Sequence, residues 1–180
     1  IWKLSKKEAE LFFSKLSKFI GSDVEKLLKR SDDPHSFMLI KDRVFYMRNE
    51  LRDKATIVDK KLLKMCGVCF GKFTHGGNFH LHITALPYIA QYAKYRVWVK
   101  AGAELSFLYK HNIPKAGLVR MTENTPRNQG VVVYNAGDQP IGFGITARSS
   151  SDVSVAEPAS IVVLHQEDLG IYIRDEEVVV

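Results

Sequence analysis

Around residue 94 the sequence changes its periodicity, and that change constrains the fold more than any single motif. Up to Lys94 apolar residues recur at helical spacings or alternate in hairpin patterns; from Tyr95 onward short β segments succeed one another with glycines between them. A chain of 180 residues is long enough for two small domains, each burying a modest core. We therefore expect an α+β domain over residues 1–94, an antiparallel sheet with helices. A mixed β barrel is expected over residues 95–180, ending in a short acidic tail at Asp175, Glu176 and Glu177.

In the first part, Ser5-Lys6-Lys7-Glu8 has the spacing of a capping box, and Ala9, Phe12, Phe13, Leu16, Phe19 and Ile20 lay an apolar stripe along the helix it opens. Gly21 ends it, and Ser22 with Glu25 repeats the box for a second, shorter helix, leaving Lys15, Lys18, Lys26 and Lys29 to solvent. Ser36–Ile40 and Arg43–Met47 read as a hairpin about Lys41-Asp42, and Val68–Thr74 and Phe79–Leu86 as another about His75-Gly76-Gly77-Asn78. The segment Leu51–Leu63 contains helix without clear ends, and Pro87 opens a short helix to about Ala93. In the second part, strands are expected at Tyr95–Lys100, Gly117–Met121, Gly130–Asn135, Ile141–Arg148 and Ser160–His165. A helix is expected at Ala103–Tyr109, a polar loop at Ser149–Glu157, and a closing turn or short helix at Asp168–Ile173.

The chemistry-bearing residues argue against catalysis. There is no nucleophile elbow, no phosphate-cradling loop and no recognisable carboxylate pair; Gly142-Phe143-Gly144 lies within a strand pattern and lacks the third glycine of a dinucleotide loop. Cys66 and Cys69 with His80 and His82 resemble a zinc set by residue type. However, three-residue spacing along a strand sends the two thiols to opposite faces, and no second CxxC accompanies them. Two small buried hydrophobes are the stronger reading, and no cofactor or metal is expected. Two cysteines point to a reducing compartment, and the lack of any run of about eighteen apolar residues leaves no membrane-spanning segment.

Charge is what remains. Residues 1–94 hold 18 Lys and Arg against 10 Asp and Glu, a surplus of 8; the remainder holds 8 against 10, a deficit of 2. Clustered cations with aromatics among them suit a polyanion such as RNA, because counterions are released when phosphates are met. On residues alone, a solvated basic face on a scaffold protein stands level with that reading.

Lys41-Asp42-Arg43-Val44-Phe45-Tyr46, Cys69-Phe70-Gly71-Lys72-Phe73-Thr74 with Phe79, Leu81, His82 and Thr84, Val97-Trp98-Val99-Lys100, Phe107-Leu108-Tyr109 and Thr122-Glu123-Asn124-Thr125 also form a pattern of their own. With Gly142-Phe143-Gly144 and His165-Gln166, they resemble the Nip-seven family of ribosome-biogenesis factors, and the likeness covers essentially the whole chain. The resemblance implies that the second domain is a PUA-like mixed β pseudo-barrel that binds RNA, with a preference for uridine-rich strands. It implies a monomer of the nucleus and nucleolus, acting without catalysis or membrane contact in pre-ribosomal RNA processing and large-subunit assembly. The implied partners are the ribosomal RNA precursor, other assembly factors and exosome components. Where the family leads one to expect glycine after Tyr109, this chain has Lys110, His111 and Asn112.

From charge and from that loop, Lys110, Lys115, Arg120 and Arg148 are assigned to the RNA backbone and His111 to an unpaired base, with Lys72 and Arg43 carrying the track onto the first domain. Two alternatives stay open. One is an adaptor that recruits assembly proteins; the other is a modification enzyme with a catalytic pocket in residues 1–94.

Overall fold

A computed structural model describes residues 1–174; the expected acidic tail, Asp175 to Glu177, lies outside the described residues. The chain divides into two compact units, Ile1–Ala85 and Leu86–Val180. The helix expected before Lys94 falls in the second of these.

In the first unit the Ser5 amide donates to Glu8 Oε2 at 2.7 Å while the Glu8 amide donates to Ser5 Oγ at 3.3 Å, and this reciprocal cap opens α1, Lys6–Ile20. Gly21, at φ +59°, ends the helix with its amide on the Ser17 carbonyl. The second capping box does not form. A 3₁₀ turn, Gly21–Asp23, runs directly into α2, Val24–Leu28, so the Val24 amide already binds turn carbonyls and the helix offers Ser22 no free end.

The sheet is an antiparallel meander of β1 (His35–Ile40), β2 (Arg43–Arg48), β3 (Val68–Phe73) and β4 (Phe79–Leu81) in that order. Phe12 of α1 sits at the centre of an aromatic cluster on one face, its ring 4.9 Å from Phe37, 5.0 Å from Phe79 and 6.2 Å from Phe70. Tyr46 closes this layer by donating to the Leu27 carbonyl at 2.7 Å. Met38, Ile40, Phe45 and Met47 point the other way, into a cluster with Ala55 at the end of α3 (Asn49–Ala55). A bulge between Val44 and Phe45 lies opposite Gly71, where a Cβ would collide with the His80 carbonyl. Strand β4 is shorter than its alternation suggested. After Leu81 the chain turns into a 3₁₀ segment, Ile83–Ala85, because the Thr84 hydroxyl takes the Cys69 carbonyl. Ile83 and Ala85 are buried all the same.

The second unit begins with α4, Leu86–Gln91, whose Ala90 carbonyl receives the Tyr134 hydroxyl and the Arg96 guanidinium. Its strands are β5 (Arg96–Val99), β6 (Ile113–Pro114), β7 (Leu118–Met121), β8 (Gly130–Tyr134), β9 (Pro140–Thr146) and β10 (Ile161–Asp168), in the order β6-β10-β9-β8-β5-β7. Among the described strands only β5 and β8 pair in parallel. The two end strands, β6 and β7, are joined through a 3₁₀ turn at Lys115–Gly117, and the sheet is a nearly closed barrel. Val97, Val99, Val131, Val133, Val162 and Val163 fill it, with Phe107 from α5 (Ala101–Phe107).

Ser149–Glu157 is not a loop. Ser149 caps α6, Ser150–Val155, by accepting the Asp152 amide, and Val153 anchors the helix; the surrounding serines hide its apolar face from a sequence reading. Strand β10 runs on to Asp168, past the expected His165, and leads into α7, Ile171–Arg174. Among the described residues no helix is long and apolar enough to cross a membrane.

Truncating Phe12 to Ala should cost about 3–5 kcal/mol, because the rings of Phe13, Phe37, Phe70 and Phe79 lose their contact at a site with no exposed surface. Urea unfolding of the full chain reads this; a loss below about 1 kcal/mol would mean the aromatic layer collapses around the gap.

Candidate nucleic-acid interface

Helix α5 ends in a tight reversal: the Tyr109 and His111 amides both donate to the Ser106 carbonyl, at 3.0 and 3.1 Å, and the Lys110 amide donates to Phe107 at 3.0 Å. Such a reversal needs a left-handed residue, and Lys110 supplies it at φ +69°. Asn112 then ties the loop to β10, its Oδ1 accepting the His165 amide at 2.8 Å. The result is a groove of about 660 Å³ lined by Gly102, Ser106, Lys110, His111, Asn112 and Ile161, among others.

A second groove, of about 440 Å³, is lined by Arg127, Ala147, Arg148, Asp152 and Ile161. Ile161 belongs to both, so the grooves adjoin on β10, with Lys110 and His111 on one side and Arg127 and Arg148 on the other. A half-exposed isoleucine between flanking cations gives an apolar floor with donors at its rim. That is the arrangement a strand of nucleic acid requires when bases rest on carbon and phosphates meet charge.

The expected site residues therefore separate. Lys110, His111 and Arg148 line the joined grooves. Lys115 turns its ammonium onto the Ala156 and Ser154 carbonyls, at 2.7 and 3.2 Å, where it caps the end of α6. Arg120 lies over the Trp98 ring at 3.8 Å, with Trp98 held by Asp138, and is not part of either groove wall. Arg43 and Lys72 belong to the first unit, where they face each other across β2 and β3, and Lys72 is 3.5 Å from Asp42. Arg127, Asn112 and Ile161 escape sequence reasoning. Pro126-Arg127-Asn128 is visible as a turn, but nothing local tells where a turn will dock.

Two neighbouring acids behind Lys110 have opposite fates. Burial, with the charge of Asp168, pushes Glu167 up to about 7, partly opposed by Lys110 and Arg174. Burial works to raise Asp168 too, but hydrogen bonds from His165 at 2.6 Å and Arg174 at 3.0 Å hold it below the ordinary carboxylate value.

The sulfur chemistry of the first unit is quiet. Cys69 lies 3.9 Å from His82, yet burial raises the thiol, while burial and the charges of Arg43 and Lys72 press His82 down to about 4. Both are neutral at pH 7, so no thiolate nucleophile forms. The two cysteines do not point to opposite faces as their spacing suggested. Gly67, at φ +76°, turns the chain before β3, and both pack against the same cluster. Among the described residues no group of three or more His, Cys, Asp or Glu is placed to hold a metal ion.

The comparisons with known proteins match both units. Residues 1–83 fit the model of the NIP7/UPF0113 pre-PUA domain, and residues 95–177 that of the UPF0113 PUA domain. The chain is 49% identical over 174 residues to the 60S ribosome subunit biogenesis protein nip7 of Schizosaccharomyces pombe, covering 97% of both chains. It is 46% identical over 175 residues to the corresponding homolog of Dictyostelium discoideum, covering 97% of this chain and 98% of that one. Among solved structures, a PUA domain protein of Aeropyrum pernix superposes with a TM-score of 0.59 at 16% identity, over 93% of this chain and 84% of that one. A conserved PUA domain protein of Thermoplasma acidophilum superposes at 0.52 and 16%, over 98% and 95%. At such identity these two speak for the fold alone.

Glu167 also makes a pH prediction. Its folded pKa of about 7 lies above the ordinary 4.5, so the folded chain prefers the protonated acid, and stability is fullest below pH 4.5 and is lost as pH rises through 7. Glu167→Gln should therefore be more stable than the parent by about 2 kcal/mol at pH 8 and nearly equal to it at pH 5. Urea midpoints at the two pH values decide; a difference independent of pH would remove the buried-acid account.

Proposed function

We propose, since the chain belongs to the NIP7/UPF0113 family of paired pre-PUA and PUA domains, that it acts in biogenesis of the 60S ribosomal subunit as an RNA-binding factor that positions its transcript and performs no chemistry on it. The observation that carries the reading is the convergence of Lys110, His111, Arg127 and Arg148 on the two grooves that meet at Ile161. Lysine and arginine there take the phosphates of a precursor ribosomal RNA, His111 meets an unpaired base, and Ile161 supplies apolar contact beneath it. Uridine-rich single strands are the preferred substrate. The neutral Cys69 and His82 support a non-catalytic role.

The working place is the nucleus and nucleolus, and the protein is a monomer until it joins pre-ribosomal particles. Its protein partners there are other assembly factors, with exosome components among them. Recruitment of those partners has an observation of its own: Ile57, Leu62 and Met65 of the first unit are 85%, 74% and 50% exposed.

RNA binding should weaken steeply with salt. For a uridine-rich strand, the double change Lys110→Glu with Arg148→Glu should reduce affinity by about 10–100-fold and flatten the plot of log K against log salt by about 1.4, the share of two phosphate contacts. Lys110→Gly should keep the loop and lose only the charge, since glycine accepts the left-handed angle that Lys110 holds. Fluorescence anisotropy of the full chain measures all three. Affinity indifferent to salt and to charge reversal would end the RNA reading and leave the adaptor.

A further inference from the structure

The surplus of positive charge in the first unit has a structural focus away from the joined grooves. Along α1, Lys7, Ser14, Lys15 and Lys18 fall within one side of the helix, and that side forms a wall of a groove of about 760 Å³ whose other wall is the β3–β4 hairpin with His80. Glu10 is the single acid there. Between Lys7 and Lys18 the helix rises about 16 Å, so the ammonium groups are spread along a line and not gathered at a point. His80, on the edge strand β4, also ends a row on the sheet face away from α1, since Arg43 pairs with Lys72 and Lys72 with His80 in the register of β2, β3 and β4, so a strand would pass round that edge to reach it.

Lys7 and Lys15 have no carboxylate partner among the described residues. Lys15 is half-buried, where it was expected to stand in solvent, and its ammonium is held below the ordinary lysine value first by that burial and then by the neighbouring charge of Lys18. A groove wall that carries Lys7 and Lys15 with no carboxylate on either is a site whose missing component is an anion. A line of separate cations fits an anion that repeats along its length.

We propose that this groove is a second RNA site, on the first unit, in which Lys7, Lys15 and Lys18 hold the phosphodiester backbone of a single strand and His80 continues the contact toward Lys72 and Arg43. It rests on the reading that the chain works on RNA, and it gives the first unit a direct part in holding the transcript. A strand engaging both units gains affinity because the second contact forms within one complex.

The full chain tests this with a uridine-rich strand of about 20 nucleotides, longer than the roughly 4–16 that one small barrel occupies. Lys7→Gln with Lys15→Gln should lower affinity by about tenfold and flatten the salt plot by about 1.4. Ser14→Glu, an exposed change that puts a good helix former in the groove wall, should also lower affinity while the far-ultraviolet spectrum and unfolding midpoint stay put. Ultraviolet crosslinks from the RNA should include the peptide bearing His80 in the parent chain and lose it in Ser14→Glu. Full affinity and an unchanged salt slope in both variants would overturn the second site, even where Lys110→Glu with Arg148→Glu weakens binding as expected. Failure of that last pair alone would count against the second unit's grooves instead. Polyglutamate binding that Ser14→Glu abolishes, with RNA binding intact, would overturn the proposal in favour of an acidic protein partner.

Discussion

Strand β6 is two residues long, and it pairs with β10 only through Ile113 to Val163 and Pro114 to Ile161. That short ladder, with the Asn112 side chain on the His165 amide, brings the loop after α5 against the strand that starts after α6. Without it Lys110 and His111 would belong to one surface and Arg127 and Arg148 to another. Phe107, fully buried beside this join, has its ring 4.8 Å from His165, so the core and the binding loop are fixed by the same contacts. The candidate interface is thus a consequence of how the barrel closes. Each of its cations is held next to an element that the core has already positioned, which would spare a bound strand the entropy of ordering them.

Total charge is a poor guide to where that interface lies. The grooves of the second unit occur in the part of the chain with two more acids than bases, and Asp152 is the one acid lining them, because the fold turns Asp168 and Glu167 away or neutralises them. Asp168 is buried in hydrogen bonds from His165, Gly170 and Arg174, and Glu167 is carried toward its uncharged form by burial. Cations are sorted in the same way. Lys115 is drawn onto carbonyls and Arg120 onto an indole, and neither remains at a groove rim. A count of lysines and arginines treats all of these alike, whereas the field at a phosphate depends on which of them are already engaged.

The features legible in the sequence are those that local chemistry decides. The capping box at Ser5 and Glu8, the two hairpins and the alternation around Val97 involve residues within a few positions of each other, and each forms where expected, though the second hairpin's last strand stops at Leu81. The departures share a cause. Ser22 and Glu25 have the spacing of a cap but no free helix end to act on, because the preceding turn carries straight into α2. Ser149 is a real cap concealed by the serines that outnumber apolar residues after it, although one buried valine is enough to hold the helix. Strand geometry misplaces Cys66 and Cys69 because Gly67 bends the chain between them. Of the residues lining the candidate grooves, Lys110, His111 and Arg148 are singled out by charge and the loop. Arg127 is not, because its approach to Arg148 depends on the docking of a turn against β9.

Lys110 shows how a backbone requirement and a chemical one can be exchanged. The reversal after α5 needs a left-handed residue, which glycine adopts freely and which costs a lysine about 1 kcal/mol or more. The loop tolerates that cost because it is overdetermined: three backbone amides donate to the Ser106 and Phe107 carbonyls and fix the turn, and Asn112 anchors the chain beyond it to β10. A glycine there would bring a bare backbone amide close to a phosphate and contribute a neutral hydrogen bond. The lysine offers a mobile charge instead, which would meet a phosphate with less direction than a backbone hydrogen bond. On the proposed reading the loop keeps a left-handed turn while the contact it offers is electrostatic, and a site built in this way would depend on salt more than one built on glycine.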